Sequence, residues 1–122
     1  QWATRINEAY QTLRSPFERA AYLLRLHGID AMDPGHTAMP ADFLMRQMEW
    51  REALAEAVAA RDAPALEELE RQTRTECKRE IESIAELIDQ RQDFAAAAEA
   101  VRKYRFLEKF LADLGNAYEE LD

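Results

Sequence analysis

Two histidines, His27 and His36, one cysteine, Cys77, and 24 carboxylates are the side chains of this 122-residue chain able to hold a metal or move a proton. A metal centre needs several His, Cys or carboxylate ligands at compatible spacing, and an iron–sulfur cluster usually takes about four Cys or His ligands. No metal and no cluster site is therefore expected in this chain by itself. Cys77 falls on the apolar stripe of a helix, where a small buried thiol belongs. His27 stands just before Gly28 at a helix end, where an imidazole complements terminal carbonyls, and His36 sits in a loop without an evident partner. There is no glycine-rich phosphate loop and no Ser/His/Asp or Cys/His spacing. No cofactor is expected, and a small all-helical enzyme is the remote reading.

What remains is the chemistry of recognition. Phe43 to Val58 (FLMRQMEWREALAEAV) reads as one helix with more apolar surface than a bundle core needs. At about 100° per residue, Phe43, Gln47, Trp50, Leu54 and Val58 share one arc. Leu44, Met45 and Met48 lie roughly 100° to 200° from Phe43 by the same count. They run into an acidic ladder, since Met45, Glu49, Glu52 and Glu56 follow a 4-3-4 spacing along one strip. A helix buried on one side needs a single apolar stripe, and contiguous exposed apolar patches mark interaction sites. In the last helix Phe106 points roughly 130° from the core centre and Phe110 about 90°, and aromatics are enriched among interface anchors. If the two helices lie side by side, Phe106 falls beside Leu44 and Met48. A protein-binding face and a larger core that wraps the helices both fit this pattern.

The elements that must position these residues are marked by their ends. Ser15-Pro16-Phe17-Glu18 combines an N-cap serine, a proline at the first helical position and a glutamate three residues after the cap. Leu26-His27-Gly28-Ile29 has the form of a left-handed C-cap. Asp30 to Pro40 is a connector with its turn at Asp33-Pro34-Gly35, and Asp62 and Asp93 can cap two further helices. Trp2, Ile6, Ala9, Tyr10 and Leu13 make one face, and Phe17, Ala20, Ala21 and Leu24 another. Leu66, Leu69, Thr73, Cys77, Ile81, Ile84 and Ile88 form the stripe of a long helix, as do Ala97, Ala100, Tyr104, Leu107, Leu111, Leu114 and Tyr118. Gly115 reads as a close helix contact rather than a stop, because Tyr118 continues the stripe. Short links force antiparallel neighbours. The expected fold is all-α: a three-helix antiparallel bundle over 41–122, with helices near 41–61, 63–90 and 93–121. A connector over 29–40 and two short helices within 1–28 precede it.

Net charge is −8, which argues against nucleic acid, whose affinity comes mostly from Lys and Arg on phosphates. No apolar run approaches the roughly 18 residues of a membrane span. A single cysteine excludes an internal disulfide and fits a reducing compartment.

Phe43-Leu44-Met45-Arg46-Gln47-Met48-Glu49-Trp50-Arg51-Glu52 resembles the start of the C-terminal domain of HscB, the J-type co-chaperone family of iron–sulfur cluster assembly. Val101-Arg102-Lys103-Tyr104-Arg105-Phe106-Leu107-Glu108-Lys109 resembles that family's last helix. Ile6-Asn7-Glu8-Ala9-Tyr10-Gln11-Thr12-Leu13, with Ser15-Pro16 and Arg19-Ala20-Ala21-Tyr22-Leu23-Leu24, is similar to the closing helices of its J domain. The resemblance covers essentially the whole chain in order. It implies that residues 1–28 are a J-domain remnant and that the bundle binds an IscU-type scaffold through Leu44, Met45, Met48, Glu49, Glu52, Glu56 and Phe106. It further implies delivery of that scaffold to HscA, a DnaK-type ATPase chaperone, in the bacterial cytoplasm or, for a eukaryotic chain, the mitochondrial matrix. A J domain acts through a His-Pro-Asp loop after a basic helix, and neither occurs in these residues, since Asp33-Pro34-Gly35-His36 has the wrong place and order. The chain as given is thus expected to bind scaffold without stimulating ATP hydrolysis. Arg46, set among the carboxylates, is expected to alter local charge complementarity relative to other members of that family. The rival reading is a helical adaptor of another pathway that uses the same patch on a different client.

Overall fold

The computed structural model describes residues 16–31 and 39–121. Within them the chain is helical over 16–26 (α1), Ala41–Ala60 (α2), Ala63–Asp89 (α3) and Phe94–Leu121 (α4), with no strand. The fold is all-α, and the three long helices fall within about two residues of the expected bounds. The apolar face from Trp2 to Leu13, the Ser15 cap, the turn at Asp33-Pro34-Gly35 and His36 lie outside the described residues.

Each helix end has a local cause. Asp62 accepts the Ala65 N–H at 3.2 Å and Asp93 accepts that of Ala96 at 3.1 Å, so both N-caps satisfy a donor that the first turn leaves free. Gly28 takes φ 80, and the N–H groups of Ile29 and Gly28 reach the carbonyls of Leu24 and Arg25, both at 2.9 Å. That paired arrangement closes α1, and a Cβ-bearing residue at Gly28 would be strained. Arg61 ends α2 at φ 53. Its guanidinium donates to the Leu121 carbonyl at 2.9 Å, placing a cation on the negative end of α4.

These contacts give the directions of the helices. Phe43 meets Phe106, Trp50 meets Phe110 and Arg61 meets Leu121, so α2 and α4 run the same way with α3 reversed between them in sequence. Tyr118 donates to Glu70 at 3.2 Å, pairing the end of α4 with the start of α3. Phe17 packs edge-on against Tyr104 at 5.0 Å, while His27 stacks on Phe94 at 4.0 Å, which lays α1 antiparallel along the first half of α4.

The core sits on α4. Its whole expected stripe is buried, joined by Ala98, Val101, Phe110 and Ala117. Phe17, Ala20 and Leu24 of α1 belong to the same cluster as Leu66, Cys77 and Ile84 of α3 and Trp50 of α2. Phe110, which helical counting set apart from the stripe, is 0% exposed against Trp50. A helix packed by α1, α2 and α3 presents more than one arc to neighbours, and so its buried face is wider than a single stripe.

Candidate functional face on the second helix

The arc of Phe43, Gln47 and Trp50 anchors α2 to the bundle, all three being buried. Gln47 is buried without a hydrogen-bond partner among the described residues. With that side of α2 fixed, the opposite side faces outward. Leu44, Met45 and Met48 are 39%, 62% and 68% exposed. Five large hydrophobic side chains are exposed among the described residues, and these three stand within five positions of one another; the other two are Tyr22 and Leu26 on α1. Isolated exposed hydrophobes need no explanation. A trio on one helix face forms a patch.

Glu49, Glu52 and Glu56 are also exposed, and none has an ion pair among the described residues. Phe106 is partly buried, its ring edge-on to Phe43 at 6.0 Å. It thus touches α2 one residue before Leu44, which brings α4 to the margin of the patch. The Lys103 ammonium lies 5.9 Å from the Phe43 ring, a cation–π contact on the same margin. The face joins adaptable thioether and aliphatic surface to a row of carboxylates. Such a face can bind and orient, and it holds no arrangement for bond chemistry.

Sequence reasoning singled out Arg46 but missed where the cations of α2 go. Arg46 pairs with Glu76 of α3 at 3.4 Å, and Arg51 pairs with Asp113 of α4 at 3.3 Å. Both guanidiniums lean toward neighbouring helices rather than onto the acidic strip.

Elsewhere the titratable groups read as structure. Cys77 is 0% exposed, and burial, with the charges of Glu108, Glu76 and Glu80 behind it, pushes its thiol up to about 12. It stays neutral and unreactive in the folded chain. His27 engages the Leu23 carbonyl at 2.9 Å through Nδ1, as a helix C-terminus favours. Among the described residues no three His, Cys, Asp or Glu side chains converge to hold a metal ion, and no helix is long and apolar enough to cross a membrane.

Glu80 is the exception with a measurable consequence. Its Oε2 is buried without a hydrogen-bond partner among the described residues, and burial raises its carboxyl above the ordinary value against the opposing pull of Lys103 and Arg46. The folded chain holds that proton more tightly than the unfolded one, so stability falls as pH rises through the raised value. Glu80→Gln is expected to raise the melting temperature by a few degrees near pH 7 and to give no gain near pH 4. A lower melting temperature near neutrality would show that attraction to Lys103 and Arg46 outweighs burial.

Residues 39–115 match the family described as the HSCB C-terminal oligomerisation domain. A co-chaperone protein HscB homolog of Ralstonia nicotianae is 50% identical over the full chain, which spans 69% of that relative. Homologs of the same name from Aromatoleum aromaticum and Burkholderia vietnamiensis are 47% and 48% identical over the same shares. The chain belongs to the HscB family. The matched HscB region takes in every residue of the face, from Leu44 to Phe106, and leaves α1 outside.

Proposed function

We propose that this chain serves iron–sulfur cluster assembly as a co-chaperone, binding an IscU-type scaffold through the outward face of α2. The observation that carries the reading is the pairing of an exposed Leu44-Met45-Met48 patch with carboxylates that have no ion pair among the described residues, on a helix whose other side is already buried. Leu44, Met45, Met48 and the open side of Phe106 supply desolvated contact. Glu49, Glu52 and Glu56 meet basic residues of the scaffold, favouring encounter and orientation more than raw affinity. A patch of this size supports reversible binding, which suits a protein that passes its client on to a DnaK-type ATPase chaperone of the HscA kind. The chain performs no chemistry of its own, and its place of work is the bacterial cytoplasm. Residues 1–28 act as the end of a J domain, and without a His-Pro-Asp sequence these 122 residues do not drive the chaperone's ATPase.

Calorimetry of the chain against an IscU-type scaffold tests this. The expected result is saturable one-to-one binding with Kd on the order of micromolar, weakening as salt rises. ATP hydrolysis by the HscA-type chaperone should stay at its basal rate when the chain is added. A folded chain that binds no scaffold would return the face to a different client.

A further inference from the structure

An arginine at position 46 ought to spoil an acidic face. Arg46 stands three residues before Glu49, a spacing at which opposite charges meet on a helix. Pairs three residues apart do form in this chain between Glu68 and Arg71 and between Glu76 and Arg79, in each of which the carboxylate comes first and not, as here, the arginine. Arg46 nevertheless turns to α3, where its Nη2 lies 3.4 Å from Oε2 of Glu76. The Glu76 side chain is only 17% exposed, and its other oxygen accepts from Arg79 at 2.9 Å. It is therefore a fixed acceptor, held against the flank of α2. The second arginine of α2 is drawn away on the other flank, where Arg51 reaches Asp113 of α4. Between these two ties the carboxylates of Glu49, Glu52 and Glu56 form no ion pair among the described residues.

We infer that Glu76 is a positioning residue for client specificity: it holds Arg46 off the α2 face and so keeps that face anionic toward a cationic client surface. This rests on the reading of the face as the scaffold-binding site. A pair this exposed, with Arg46 at 47%, adds little to folding. Its consequence is where the positive charge stands. Released from Glu76, the guanidinium is left between Glu80 of α3, which also attracts it, and Glu49 one turn along α2, where it cancels one of the three carboxylates offered to the client. The Glu76 tie thus lets an arginine occupy the middle of the motif without reversing what the motif recognises.

A double-mutant cycle tests this, with Glu76→Gln, Arg46→Gln and the combination titrated against an IscU-type scaffold at low and high salt. Glu76→Gln is expected to weaken binding about three- to fivefold and to flatten its salt dependence. Arg46→Gln is expected to bind no more weakly than wild type. Adding Glu76→Gln to it should change Kd by less than about twofold, because no guanidinium remains to be released. Equal losses from Glu76→Gln in both backgrounds would mean that only net charge counts, and would overturn the inference while leaving the site intact. Wild type that binds no scaffold would overturn the site and the specificity role together. Side-chain proton contacts of Arg46 give a readout without a partner. They should join Glu76 in the free wild-type chain and Glu49 in Glu76→Gln, and contacts to Glu49 in wild type would overturn the inference whatever the scaffold does.

Discussion

Replacing Leu44, Met45 and Met48 together by alanine is expected to weaken scaffold binding about a hundredfold, at about 1 kcal/mol for each truncated contact. Melting should shift by no more than a few degrees. All three side chains project from the outer side of α2, exposed substitutions usually stay within about 0.5 kcal/mol of neutral, and alanine is the better helix former. Circular dichroism and calorimetry on one preparation separate the two effects. If the triple variant loses its cooperative melt, those side chains belong to the core and the face has been misassigned. Phe106 is left out of this variant on purpose. Its ring rests against Phe43, so truncating it would mix lost binding with lost packing.

Phe110→Ala should do the reverse. Phe110 is 0% exposed and lies 5.6 Å from the Trp50 ring, joining α4 to α2. Truncating a buried phenylalanine costs about 3–5 kcal/mol, a large share of the roughly 5–15 kcal/mol that holds a small domain together. The variant is expected to melt far lower and to lose scaffold binding only as the bundle itself comes apart. A Phe110→Ala chain with wild-type melting but no binding would make Phe110 part of the face.

The contrast between these positions shows where sequence is informative. Caps are local chemistry, so Gly28, Asp62 and Asp93 could be read from a few letters, and each forms the expected bonds. Stripes are nearly as local. Tyr104, Leu107, Leu111 and Leu114 had to share a side of α4, and all are buried. Phe110 could not be placed that way, because its burial depends on α2 arriving from another direction. Glu70 is a similar case: it reads as one more surface carboxylate, yet it is buried where Tyr118 donates to it.

The candidate face was legible only in outline. Periodicity put Leu44, Met45 and Met48 away from the core arc, and all three are exposed. The resemblance to the HscB family made Arg46, set among the carboxylates, look like a change in local charge complementarity. Only the partner helices show where Arg46 and Arg51 go, because a long flexible side chain is directed by what lies beside it and not by its own position. The covering of Phe106 by Phe43 is likewise a tertiary fact. Helical angle alone set Phe106 about 130° from the core centre, beside Leu44 and Met48 if the two helices adjoin, and did not show Phe43 as its partner.

A titration of the methyl-labelled chain with an IscU-type scaffold, followed by NMR, reaches the central claim most directly. The methyl signals of Met45, Met48 and Leu44 are expected to shift first and furthest, while those of Val101, Leu107 and Leu114 in the core hold still. Shifts confined to α1 or the outer side of α3, with the three α2 methyl groups unmoved at saturation, would contradict the account.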